Sequence, residues 1–218
     1  PAIDAAISAG IKVVVIDSDV DFDGVSAHIG TDNVEAGRIS AAAALDAEPD
    51  DLVVGIINCY AETQNCQERE QGFREVLSSS SRVKEIYTVN TSTDAELAKQ
   101  AAIQLLQEHP EINVLIGFNE PLAVGTARAV EELGLAGQVQ AIAFDSNVEC
   151  IELLQSGVVS ALIVQNPYAM GYLGVEKAWE AIQNKEFDAE APIDTATLTI
   201  TKENLFSMES QKALFSFS

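Results

Sequence analysis

Apolar runs without polar alternation, separated by stretches of helical periodicity, constrain this chain more than any other feature. The runs stand at 11–17 (IKVVVID), 52–58 (LVVGIIN), 84–89, 113–118, 139–144, 158–164 and 196–201. Helical patterns fill 2–9, 33–46, 64–79, 94–108, 121–133, 147–155 and 168–184. A strand that is apolar on both sides must be covered on both sides. Strand, helix, strand with short connections therefore predicts parallel sheets flanked by helices, the α/β class. Gly10, Gly134 and Gly157 follow helical patterns, where a left-handed residue usually stops a helix.

With 218 residues, 47% of them hydrophobic, the chain has material for one large or two small domains. Its 34 acidic and 12 basic residues give a net charge of -22. That balance repels phosphate backbones and anionic membrane surfaces, so no nucleic acid is expected as a partner of this segment. No apolar run is long enough for a transmembrane helix. The opening PAIDAAISAGI has no basic n-region or signal-peptide core and reads as a helix. The expectation is a piece of a longer or processed chain, whose missing signal says nothing about compartment. Cys59, Cys66 and Cys150 show no CxxC spacing, so no zinc site is expected. Cys59 and Cys150 read as buried thiols, and a Cys59–Cys66 disulfide stays open.

Ligands of open α/β sheets sit beyond the carboxyl ends of the strands. There the predicted strands deliver Asp17, then Asn58-Cys59-Tyr60, Asn119-Glu120, Asp145-Ser146-Asn147 and Gln165-Asn166. Carboxylates and amides hold hydroxylated ligands through paired, directional hydrogen bonds. The competing duty of the same residues is to cap the helices that follow. The segment Asp17–Gly24 (DSDVDFDG) also imitates the start of a calcium loop at Asp19, Asp21 and Asp23. Its twelfth position is Gly30, which has no side chain, and a strand precedes it where a helix is needed. The three aspartates read instead as a solvated loop, and no metal site is expected. No GxSxG, HExxH, P-loop or GxGxxG occurs, so no catalytic residue, cofactor or enzyme activity is expected. His109, before Pro110, suits a helix end, and His28 reads as a half-exposed strand or loop residue.

The stretches KVVVIDSD, HIGTDNVEAGRIS, QEREQGFREVL, GFNEPLAVGTARAVEELG, AIAFDS and ALIVQNPYAMGYLGVEKA follow one another as in periplasmic sugar-binding proteins. Over almost its whole length the chain resembles the type I periplasmic-binding-protein family of the ribose- and allose-binding kind, which feeds ABC transporters. It shares that fold with the effector domains of LacI-like repressors. The resemblance implies two α/β lobes joined by three crossovers, with the sugar held in the cleft between them. It divides the chain into 1–31 with 166–197 (first lobe) and 32–165 with 198–218 (second lobe), with hinges near Thr31–Asn33, Gln165–Pro167 and Thr197–Thr199. The family's first lobe begins with further βα units, so that lobe is incomplete in this segment. By resemblance, Asp17, Asn33, Arg69, Asn119, Asp145 and Gln165 bind the ligand. Arg69 offers a fork of donors, against an alternative as a surface arginine paired with Glu68 or Glu70. Asn33 either touches ligand or caps the helix that follows.

Two departures weigh against ribose itself. Thr93 stands near the place of a second-lobe Phe, and Ser18 where some relatives carry Arg. The resemblance further implies capture by closure, an ABC permease as partner, a monomer, and a periplasmic or extracellular, membrane-anchored location. A LacI-like regulator's effector domain, the ligand-binding domain of a membrane sensor, and an enzyme with an unrecognised site stay open as alternatives.

Overall fold

The computed structural model describes residues 1–18, 20, 24–48, 50–60, 64–183 and 192–215. Asp19, Asp21 and Asp23, expected to form a solvated loop, lie outside the described residues. The chain divides into two compact units, Pro1–Asp32 with Gln165–Thr197 and Asn33–Val164 with Leu198–Ser218.

In chain order the elements are α1 (Ala2–Ser8), β1 (Val14–Ile16), β2 (Ala27–Gly30), α2 (Asn33–Ala47), β3 (Leu52–Cys59), α3 (Gln64–Ser78), β4 (Val83–Thr91) and α4 (Ala95–Glu108). There follow β5 (Val114–Gly117), α5 (Glu120–Glu132), β6 (Gln140–Phe144), α6 (Val148–Ser156), β7 (Val159–Val164), α7 (Pro167–Ile182), β8 (Ile193–Asp194), β9 (Leu198–Ile200) and α8 (Met208–Leu214).

The smaller unit holds a three-stranded parallel sheet in the order β1-β2-β8. Ala27, Ile29 and Met170 form its buried core, with Val14, Leu173 and Ile193 packed against them. The run at 11–17 predicted a longer strand than β1. Helix α7 turns one face to this sheet and leaves Tyr168, Tyr172, Val175, Trp179 and Ile182 exposed at helical spacing.

The larger unit holds a six-stranded sheet in the order β4-β3-β5-β6-β7-β9. Strands β3 to β7 run parallel, joined by helices, as the unbroken apolar runs require. Its core is apolar along the central strands, with Val54, Ile56, Val114, Leu115, Ile142 and Leu162 fully covered. At the margin, β4 exposes Lys84 and Glu85, charges that discourage pairing with another strand. Strand β9 departs from the all-parallel expectation and pairs antiparallel with β7. The chain reaches it from β7 by way of α7 and β8 of the smaller unit, not by a crossover within its own sheet.

Strands β2 and β8 and helix α8 had no counterpart in the predicted runs. Strands of four and two residues give too short a pattern to read. Helix α8 is only seven residues long, started by the Ser207 hydroxyl accepting from Ser210 N. The expected helix stops are present: Gly10, Gly134 and Gly157 have φ of 80°, 66° and 85°.

Helices α2 and α3 cross unusually closely. A Cβ added at Gly72 would lie 1.8 Å from the Val34 carbonyl oxygen, and one at Gly37 2.0 Å from that of Arg69. Backbone thus meets backbone, and neither contact can be relieved by a side-chain rotation. Gly72→Ala is expected to force the helices apart and destabilise the protein by about 3 kcal/mol, read as a lowered denaturation midpoint. The same change at Gly171, with open space around it, should leave that midpoint unchanged or raised.

Candidate functional site

In the smaller unit the carboxyl end of β1 delivers Asp17. Its N–H donates to Ile29 O at 2.9 Å, its carbonyl oxygen lies 3.0 Å from His28 Nε2, and its carboxylate is exposed beside the Ser18 hydroxyl at 3.4 Å. Gly30 permits this approach, since a Cβ there would come within 2.9 Å of Asp17 O. Thr31, expected only as a hinge, donates its hydroxyl to Gln165 Oε1 at 2.8 Å. Thr195 closes the same end, donating through both its N–H and its hydroxyl to Gly30 O. Asp194 joins this group from β8, the strand too short to predict. Partial burial, followed by the neighbouring Asp32 charge, raises its carboxyl above the ordinary value, while His28 acts in the opposite direction.

In the larger unit Asp145 repeats the geometry of Asp17. It stands one residue past β6, and its N–H donates to Ile163 O at 2.8 Å. Asp17 and Asp145 have φ of 67° and 68°, and no other non-glycine among the described residues has positive φ. Left-handed backbone costs an L-residue about 1–2 kcal/mol, least for Asp and Asn. Each aspartate thus ends its strand in a left-handed turn. The Asp145 carboxylate accepts from Glu120 N at 3.2 Å, at the start of α5.

The amides serve the helices that follow. Asn119 Oδ1 accepts from Leu122 N, Asn147 Oδ1 from Cys150 N, and Asn166 Oδ1 from Ala169 N. Capping therefore takes the carbonyl oxygen of each. Their amino groups point elsewhere, Asn147 Nδ2 to Glu120 Oε1 at 2.9 Å and Asn119 Nδ2 to Cys66 Sγ at 3.4 Å. Asn58 is fully buried and bonds to Cys59 N, Cys66 O and Glu70, so it is an internal tie.

Arg69 is only 3% exposed. Its Nε donates to Asn33 Oδ1 at 2.9 Å, its Nη1 to Phe118 O at 2.8 Å, and its guanidinium carbon lies 4.0 Å above the Phe144 ring. The surface pairing with Glu68 or Glu70 is not what forms: Glu68 meets Gln64, and Glu70 pairs with Arg74. Arg69 and Asn33 are thus brought together at the carboxyl ends of β5 and β6, with Asn119 and Asp145 on the turns that leave those strands. Thr93 lies exposed between β4 and α4. His109 ends α4, stacked on Tyr87 at 3.6 Å with Glu111 beside it.

These strand-end groups offer carboxylates and amides in each unit, with one buried guanidinium in the larger. The fold is that of a type I periplasmic binding protein. A family profile described as "Periplasmic binding protein domain" matches residues 1–186, and the chain belongs to that family. Among its relatives, a D-ribose/D-allose-binding protein from Pseudomonas aeruginosa is 27% identical over 210 residues, covering 92% of this chain and 65% of the relative. An ABC transporter solute binding protein from Agrobacterium vitis, solved with bound D-fucose, superposes with a TM-score of 0.90 at 28% identity, covering 99% of this chain and 74% of that one. A glucose-galactose binding protein from Geobacillus stearothermophilus gives 0.87 at 29% identity, covering 94% and 73%. The chain spans less than two thirds of the length of the curated relatives first matched.

Two outcomes follow from these contacts. Arg69→Leu leaves the Asn33 and Phe118 acceptors unmet in a buried place and should cost about 2–4 kcal/mol by chemical denaturation. Asp194→Asn should slightly raise the melting temperature at neutral pH. A carboxyl whose folded value is raised opposes folding once it ionises. The gain should therefore vanish below the ordinary aspartate value of about 4 and be complete above the raised one.

Proposed function

We propose that this chain is the ligand-holding part of an extracytoplasmic solute-binding protein that takes a monosaccharide and hands it to an ABC permease. The observation that carries this reading is the matched pair of strand-terminal aspartates. Each is held in left-handed backbone that Asp tolerates better than most side chains. Strain of that kind persists where surrounding structure enforces it, typically at ligand sites. An ionised carboxylate accepts from two sugar hydroxyls at once, and such charge-assisted bonds are about twice as strong as neutral ones.

In the smaller unit, Asp17 and Gln165 take ligand hydroxyls, with Thr31 fixing the Gln165 amide. In the larger unit, Asp145 and the amino group of Asn119 do so, with Asn33 and Arg69 completing the set. Arg69 supplies the positive charge and holds the Asn33 carbonyl oxygen, which leaves the Asn33 amino group to donate. Relatives that bind ribose, allose or D-fucose support a sugar as ligand, and the ABC transporter solute binding protein among them supports a permease as recipient. No helix of the described residues is long and apolar enough to cross a membrane.

Isothermal titration of the intact protein against aldoses and ketoses of five and six carbons tests this. One or more should bind with measurable heat. Asp17→Asn and Asp145→Asn, which keep the backbone conformation, should each weaken that sugar about 10- to 100-fold. Silence across the whole panel, or full affinity in both variants, would overturn the proposal.

A further inference from the structure

The larger unit contains a second chemical feature, unrelated to the sugar-binding groups in kind. Cys59 ends β3 and Cys66 lies in the first turn of α3, with relative exposures of 2% and 1%. The two segments are clamped face to face by crossed hydrogen bonds. Asn58 Nδ2 donates to Cys66 O at 3.4 Å, and Gln67 Nε2 donates to Cys59 O at 3.1 Å. In the structure both are thiols, buried within that clamp, and Cys59 is the neighbour that bears most on the Cys66 thiol. Cys66 Sγ also lies 3.9 Å from Phe118 O and accepts from Asn119 Nδ2 at 3.4 Å. Cys150 packs at the start of α6 instead, its N–H bonded to Asn147.

We infer that Cys59 and Cys66 are a disulfide-forming pair, which closes in the oxidising surroundings of an exported protein and locks α3 to β3. The inference rests on the extracytoplasmic part of the reading above, because such bonds persist outside the reducing cytosol. The step is thiol–disulfide exchange with the disulfide of an oxidant protein or of a small molecule such as oxidised glutathione. One cysteine attacks as its thiolate and forms a mixed disulfide, and the other displaces the remaining donor sulfur. One intramolecular S–S bond forms and the donor's breaks. Two electrons pass to the donor, which leaves as two thiols carrying the two protons.

Timing follows from the burial. The Cys59 contact and desolvation push the Cys66 thiol far above its ordinary acidity range, so little of the nucleophilic thiolate exists in the folded protein. Closure therefore belongs to the unfolded or folding chain, and the finished bond is shielded from reductant. The product would tether the first turn of α3, and with it Arg69 three residues on, to the strand that it follows. Asn119 can still donate to Cys66 Sγ after closure, so the bond leaves that contact in place.

Peptide mapping reads the pair directly. Between Arg38 and Arg69 there is no basic residue, so trypsin releases both cysteines in one peptide, 39–69, while Cys150 falls in another. The protein is unfolded, refolded in a mixture of reduced and oxidised glutathione, denatured again and alkylated with iodoacetamide. Peptide 39–69 should appear 2 Da light and unalkylated, and cleavage after Glu62 should leave its halves joined until reduced. Cys150 should be alkylated. The oxidised protein should melt about 5 °C or more above the dithiothreitol-reduced one, and Cys66→Ala should abolish that difference. Alkylation of both Cys59 and Cys66, or a bond from either to Cys150 or to a second molecule, would overturn the inference. Sugar titration plays no part in this readout, so failure here leaves the ligand reading standing, and loss of the ligand reading leaves the mass shift intact.

Discussion

A guanidinium taken out of water must find acceptors, and the larger unit is organised around how Arg69 finds them. An unpaired buried charge would cost several kcal/mol, so the groups around Arg69 have little freedom of their own. Its Nε requires Asn33 at the start of α2, its Nη1 requires the carbonyl that ends β5, and its flat face requires the ring that ends β6. Helix α3 can bring the side chain there only because Gly37 and Gly72 let its backbone touch that of α2. Two glycines, one amide, one carbonyl and one aromatic ring thus form a single mutually dependent assembly beneath the polar strand ends.

Above it, capping uses only one end of each asparagine side chain. An asparagine amide has two ends. Where Oδ1 satisfies the open N–H groups of a following helix, Nδ2 stays available for another partner. Asn119 and Asn147 both work this way, and the cap fixes the direction of the remaining donor. The strand-end aspartates obtain the same fixity from the backbone, through left-handed φ and one ladder bond each to the neighbouring strand. Rigid placement of a few polar groups lets a small ligand bind without first ordering the site.

Much of this architecture was legible in the residues. Strands β3, β5, β6 and β7 announce themselves because each belongs to an unbroken apolar run. Helices α2 to α7 show a periodicity that survives their alanine-rich faces. The strand-end polar set was visible once those strands were placed. What stayed hidden was set by distant partners. Strands β2 and β8 exist because each has a neighbour to bond, and β9 owes its direction to the route by which the chain arrives. Nothing local in QEREQGF tells a buried arginine from a surface one. That distinction lies in Gly37, Phe118 and Phe144, far along the chain. Asp194 was unseen for the same reason, since its strand has only two residues.

Strand β9 also bears on how the protein is made. Both units are discontinuous: each opens near the amino terminus of this segment and is finished only after residue 164. During synthesis the strands β3 to β7 can assemble early, but β7 then carries an open hydrogen-bonding edge along Leu162–Val164 until residues 198–200 emerge to cover it. An uncovered, apolar β7 is the kind of edge on which chains join one another. A ribosome stalled between residues 165 and 197 would therefore present a nearly complete sheet in its most adhesive form. Strand β9, three residues long, thus acts as the seal on an otherwise adhesive edge.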